Sequence, residues 1–241
     1  LVYDAGSYDS ESIVAVAIFM KFGIIVFPGS NCDRDVQWVT AGLLGQPTRM
    51  IWHQDSDLSD IDVVVLPGGF SYGDYLRCGA IARFSAAMQA TIAHAKAGKW
   101  VIGICNGFQV LTEAGLLPGA LVRNQNLHFI CDRVSVIVER TDLPWTRHYQ
   151  SGQILALPIA HGEGRYYADA ETLAELEDNG QIIFRYAQNP NGSLNGIAGI
   201  CNQQGNVLGM MPHPERAADQ ALGSDIGLGL FQGLLGQNLL G

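Results

Sequence analysis

Trp100-Val101-Ile102-Gly103-Ile104-Cys105-Asn106-Gly107-Phe108-Gln109 is the stretch on which the reading of this chain turns. Trp100 to Ile104 is a short apolar run rich in β-branched residues, and a helical pattern begins at Phe108 and continues to Glu113. Cys105 therefore falls at a strand-to-helix turn with Gly103 and Gly107 on either side. Glycine lacks a Cβ, so the chain can turn sharply there and pack closely, lifting the cysteine side chain above the sheet edge. The helix that follows points its free N–H groups and the positive end of its dipole at the sulfur. A thiol so placed, with a histidine nearby, can be held as the thiolate at neutral pH. Cys105 is a candidate nucleophile. The competing reading is a small buried apolar residue that closes a core strand.

Two distant segments supply what such a nucleophile needs. Val207 to Met211 reads as a buried strand ending at Pro212, which leaves His213 and Glu215 in a loop at the strand end with Pro214 stiffening the link between them. A carboxylate two residues from an imidazole can fix its tautomer and orientation, so His213 is a candidate base and Glu215 its orienter. By itself the triplet also reads as a helix start with Pro in its first position. Asp62 to Leu66 is a further core strand, running into Pro67-Gly68-Gly69-Phe70-Ser71-Tyr72-Gly73-Asp74. The backbone of such a loop can approach a substrate without side-chain obstruction, although an ordinary tight turn has the same composition. The N–H groups of Gly69, or its neighbour Phe70, and of Asn106 are candidate donors to an oxyanion.

With these words on the page, the chain resembles a class I (triad-type) glutamine amidotransferase domain. Phe27-Pro28-Gly29-Ser30-Asn31-Cys32-Asp33, Gly68 to Arg77, Cys105 to Gln109 and His161-Gly162-Glu163-Gly164 narrow the resemblance to the separate glutaminase subunits of phosphoribosylformylglycinamidine synthase. It runs from about Met20 to about Gly236. Asn106 stands where glutaminase domains of other pathways usually carry leucine, and those domains lack the long Phe-Ser-Tyr-Gly-Asp loop. The resemblance implies that Cys105 attacks the side-chain amide of glutamine while His213, oriented by Glu215, serves the departing ammonia and the hydrolytic water. It also implies that Gln109 helps to bind glutamine, against the alternative of a solvent-facing helix residue. His161 is expected to border the same pocket or a partner interface, with no direct chemical role. The implied partners are a large ATP-binding synthetase subunit and a small bridging subunit, the former using ATP and Mg. No cofactor or metal is expected in this chain. A different Cys-His hydrolase on the same fold, such as a γ-glutamyl hydrolase or small cysteine peptidase, and a non-catalytic regulatory subunit are the alternatives.

Composition narrows the field from another side. The 241 residues are 48% hydrophobic and 15% charged, enough to bury the core of one α/β domain. Fourteen basic residues against 23 acidic ones leave a net charge of −9 with no basic run, which argues against nucleic-acid binding. Five cysteines, none in a Cys-x-x-Cys pair, argue for the reducing cytoplasm and against a disulfide framework or a cysteine zinc site. No phosphate-binding Gly-x-x-x-x-Gly-Lys-Ser/Thr loop occurs, so ATP chemistry is expected elsewhere.

Residues 1–19 read as an N-terminal extension, with Met20 as the natural start. Their apolar stretch Ile13 to Phe19 is too short to span a bilayer, and a real extra β-segment is the alternative. Residues 20–241 read as one flavodoxin-like α/β domain, a mostly parallel sheet with helices on both faces. Strands are expected at Phe22 to Phe27, Thr48 to Trp52, Asp62 to Leu66, Trp100 to Ile104, Phe129 to Glu139, Gln153 to Ala160, Ile182 to Ala187, Gly196 to Cys201 and Val207 to Met211. Helices are expected at about Cys32 to Leu44, Phe84 to Ala97, Phe108 to Glu113, Asp169 to Asp178 and Ser224 to Leu235. Gly227, Gly229 and Gly233 weaken the last helix and allow close packing.

Overall fold

The computed structural model describes residues 19–235. All but the last residue of the expected extension lies outside them. The strands are β1 (Phe22–Val26), β2 (Thr48–Trp52), β3 (Val63–Leu66), β4 (Trp100–Ile104), β5 (Ala120–Val122), β6 (Ile130–Val138), β7 (Ile154–His161), β8 (Arg165–Tyr167), β9 (Ile182–Tyr186), β10 (Ile197–Cys201) and β11 (Val207–Met210). The helices are α1 (Asp33–Gln37), α2 (Ala86–Lys96), α3 (Asn106–Glu113), α4 (Ala170–Asp178) and α5 (Leu228–Gln232).

One nine-stranded sheet runs β2-β1-β3-β4-β11-β10-β9-β6-β7, and β5 pairs with β8 in a separate ribbon. The five strands from β2 to β11 are parallel, and β10, β9, β6 and β7 extend the sheet with antiparallel pairings. β3 is four apolar residues, Val63 to Leu66, all fully buried, and Ile24, Val101, Ile102, Val207 and Leu208 are equally inaccessible. Continuous burial of this kind belongs to parallel strands covered on both faces. Each such side chain withdrawn from water contributes about 1.5–3 kcal/mol.

β4 sits between β3 and β11, with Gly103 opposite both Leu66 and Gly209. The small residues at this point let α3 pack close to the sheet. A Cβ on Gly209 would lie 2.2 Å from the Phe108 ring, and one on Gly107 would lie 2.0 Å from the Leu66 carbonyl oxygen. The strand ends of β3, β4 and β11 thus deliver the glycine-rich loop, Cys105 and His213 to one edge.

Several elements depart from expectation. The first helix is α-helical only to Gln37 and continues as a π-helical segment, Trp38–Leu43. The second begins with a 3₁₀ turn, Ala82–Phe84, before Ser85 caps α2 by accepting the Met88 N–H at 3.2 Å. The last helix shrinks to Leu228–Gln232. Its glycines are points of close approach, since a Cβ on Gly227 would meet the Pro214 oxygen at 2.2 Å and one on Gly233 the Pro144 oxygen at 1.9 Å. The β5–β8 ribbon is an addition to the expected strands, since three-residue strands carry too short an alternation to read from sequence.

Candidate active site

Cys105 has φ 51° and ψ −106° in the turn between β4 and α3, a conformation that L-residues adopt only under constraint. The constraint is visible on both sides. Its N–H donates to the Met210 carbonyl at 2.8 Å, its own carbonyl accepts from Phe108 and Gln109, and the glycine at 107 is seated against Leu66. Cys105 is 5% exposed, with Sγ 3.7 Å from the Ala160 carbonyl oxygen. The expected elbow is present.

His213 follows β11 and is fixed by its N–H, which donates to the Pro158 carbonyl of β7 at 2.8 Å. Its Nδ1 lies 2.6 Å from Glu215 Oε1, and both side chains are buried. Burial alone would lower the His213 pKa. The negative field of Glu215 and of the Cys105 sulfur reverses the sign and raises it well above the ordinary value. Pro214 begins a 3₁₀ turn, Pro214–Ala217, so the helix-start reading of the triplet and the base-orienter geometry coexist.

A cavity of about 120 Å³ joins these groups, lined by Asn31, Cys32, Gly69, Phe70, Cys105, Phe129, Ala160, His213 and Arg216. It is the right scale for a small side chain. Gly69, at φ 148°, pairs with Ser30 across an isolated bridge. The Phe70 N–H is spent on the Gly29 carbonyl at 2.9 Å, whereas the Gly69 N–H makes no backbone hydrogen bond among the described residues. Phe70 still lines the cavity through the rest of the residue, its side chain about half exposed. Asn106 opens α3, where N–H groups have no partner within the helix.

Gln109 is 5% exposed, so the solvent-facing alternative does not hold. Its Oε1 accepts from Asn106 Nδ2 at 2.8 Å and its Nε2 donates to the Glu163 carbonyl at 2.6 Å. It does not line the cavity. His161 is also buried, and burial, with His213 nearby, lowers its pKa to about 4. Its Nδ1 is 3.1 Å from Asn124 Oδ1, and it too stands outside the cavity lining.

Two groups were missed from the sequence. Asn124, fully buried, donates to the His128 and His161 carbonyls and accepts from the Gly164 N–H, knitting the His-Gly-Glu-Gly loop to the chain after β5. Cys32 shares the cavity with Cys105, and Arg216 Nη2 donates to its Sγ at 3.1 Å while Arg216 Nε reaches Asp35 at 3.2 Å. Cys32 was legible only as part of a family word, and Asn124 had no local signal. Cys32, His213 and Glu215 offer ligand atoms within 4.8 Å of one another. The Arg216 guanidinium engages the Cys32 sulfur, and Glu215 Oε1 engages His213 Nδ1.

A family model for CobB/CobQ-like glutamine amidotransferase domains matches residues 20–227. The phosphoribosylformylglycinamidine synthase subunit PurQ of Nostoc sp. is 73% identical over 217 residues, covering 90% of this chain and 97% of its own. That of Synechococcus elongatus is 74% identical over 216 residues, covering 90% and 98%. Among solved structures, PurLQS from Thermotoga maritima superposes at TM-score 0.82 with 41% identity, covering 90% of this chain and 98% of the matched one. A glutamine amidotransferase from the same organism, at TM-score 0.57 and 16% identity over 82% of this chain and 77% of that one, shares the fold. The chain belongs to the CobB/CobQ-like glutamine amidotransferase family and, within it, to the PurQ glutaminase subunits of phosphoribosylformylglycinamidine synthase.

Proposed function

We propose that Cys105, His213 and Glu215 hydrolyse glutamine in the glutaminase half of an ATP-dependent carbon–nitrogen ligase, within a domain formed by residues 20–241. The observation that carries the assignment is the strained Cys105 sharing a cavity with His213, whose imidazole is held by the buried Glu215. Cys105 Sγ attacks the δ-carbonyl carbon of glutamine, a C–S bond forms, and the oxyanion accepts from the Gly69 and Asn106 N–H groups. His213 Nε2, which makes no hydrogen bond among the described residues, gives its proton to the departing ammonia. Water then attacks the γ-glutamyl thioester as His213 takes a proton from it, and glutamate leaves with the thiolate restored. Gln109 contributes to glutamine binding by holding the Glu163 loop beside the pocket.

Glutaminase chemistry alone releases ammonia. Making an amidine from an amide needs the amide oxygen activated by ATP, which falls to the large synthetase subunit, with a small bridging subunit completing the assembly. Ammonia passes to that subunit, where formylglycinamide ribonucleotide becomes formylglycinamidine ribonucleotide in de novo purine synthesis. The docking face comprises the segment Phe70 to Leu76, where Tyr75 and Leu76 stand exposed, and the segment Gly162 to Tyr167. The cytoplasm is the proposed location, on the strength of five free cysteines.

Glutamate release from glutamine is the test, with the chain alone and assembled with both other subunits, ATP and formylglycinamide ribonucleotide. Release should rise in the assembly and vanish in Cys105→Ala. Release indifferent to Cys105, or preferential turnover of γ-glutamyl peptides, would point to another hydrolase or a scaffold instead.

A further inference from the structure

Two side-chain amides tie together the loops that flank the nucleophile. Asn106 Oδ1 accepts the Ser71 N–H at 3.1 Å, and its Nδ2 donates to Gln109 Oε1 at 2.8 Å while lying 3.4 Å from Asp74 Oδ1. Gln109 passes the chain on to the Glu163 carbonyl at 2.6 Å. Ser71, Asn106 and Gln109 are all buried, so these bonds form away from competing water.

The loop they hold is under strain. Tyr72, Asp74 and Leu76 have φ of 53°, 54° and 72°, and non-glycine residues keep such angles only where tethers over-determine them. Ser71 stands two residues beyond Gly69, the oxyanion donor that lines the cavity. The placement of Gly69 relative to Cys105 is therefore set, in part, by an acceptor on the residue next to the nucleophile.

We propose that the Asn106 side chain is a positioning residue for glutamine hydrolysis: with Gln109 it latches the Pro67–Asp74 loop and the Gly162–Gly164 loop to α3, and so holds the Gly69 N–H in register with Cys105. The inference rests on the glutaminase reading above. The Asn106 backbone N–H is a separate contributor and is kept in every side-chain variant.

The test uses the assembled enzyme carrying Asn106→Leu or Asn106→Asp, with three readouts. In Asn106→Leu, amide hydrogen exchange in residues 69–76 should quicken about 10-fold or more. The kcat for glutamate release should fall about 10- to 100-fold with KM within about 3-fold, because an oxyanion donor acts mainly in the transition state. Alkylation of Cys105 by iodoacetamide, which needs no oxyanion hole, should stay within about 2-fold of wild type.

Asn106→Asp keeps the acceptor for Ser71, loses the donor to Gln109 and sets a carboxylate against Asp74. It should therefore leave residues 69–72 protected and quicken exchange in 74–76 and 161–166. Should Asn106→Leu fail to fold, this split between residues 69–72 and the other two segments in Asn106→Asp decides the question. Unchanged exchange in both variants, unchanged kcat, or alkylation falling in step with activity would overturn the latch. If exchange responds as described while wild-type release proves independent of Cys105, the glutaminase reading fails and the loop tether stands without its catalytic role.

Discussion

His213 Nδ1 and Glu215 Oε1 are 2.6 Å apart in a pocket where neither side chain reaches solvent. A carboxylate buried against an imidazole holds it in one tautomer and stabilises the imidazolium that forms during the reaction. Glu215→Gln keeps the shape and removes the charge. It should lower kcat for glutamate release about 100-fold or more, with KM less affected, as steady-state kinetics of the assembled enzyme would show.

The same pair fixes a pH dependence of stability. The folded-state pKa of His213 is raised, against the opposing pull of burial, chiefly by Glu215 and Cys105. A raised histidine stabilises the fold fully below its unfolded pKa of about 6.5 and loses that contribution as pH climbs through the folded value. Melting temperature measured from pH 6.5 to 9.5 should therefore decline more steeply in wild type than in Glu215→Gln. Parallel curves would show that the charge on His213 is not coupled to Glu215.

Strain at Cys105 predicts an inverted glycine effect. Glycine normally destabilises relative to alanine, but at φ 51° and ψ −106° it removes a penalty of about 1–3 kcal/mol. Cys105→Gly should be the more stable of the two inactive variants, by about 1 kcal/mol or more in urea unfolding.

Gly107→Ala should do the reverse. Its Cβ would lie 2.0 Å from the Leu66 carbonyl oxygen, a backbone atom at the end of β3 that is held between β1 and β4. A loss of about 3 kcal/mol is expected, lowering the melting temperature by roughly 6–12 °C in a chain of this size.

Most of what this site needs lay in contiguous words of sequence. β4 and Cys105 were readable because a strand, two glycines and a helix follow one another within ten residues, and Ser85 and Asp169 cap their helices as side-chain chemistry dictates. The pairings that complete the site were not readable. That the Phe70 N–H belongs to Gly29, that Gln109 is turned toward Glu163, and that Cys32 faces Arg216 are facts about which loops meet in space. The shortened last helix failed for a related reason: its glycines answer to the Pro144 and Pro214 carbonyls, not to helix propensity.

Asn124 makes the cost of such hidden contacts measurable. Its buried amide serves His128, His161 and Gly164 at once. Asn124→Ala strands several of those groups without partners and should cost about 2–3 kcal/mol in denaturant unfolding. Glutamate release should fall with it, since Gln109 is anchored to the same loop. Stability loss without any kinetic change would separate the loop from the chemistry.

β11 follows every other described strand in the chain, yet it takes the middle place among the nine. Without β11 between β4 and β10, the sheet order divides into two blocks, one ending in the Cys105 thiol and the other without the His213 imidazole. A chain that has emerged only as far as β10 holds Cys105 without His213 beside it. Completion of the sheet and the meeting of the proposed nucleophile with its proposed base thus depend on the same strand.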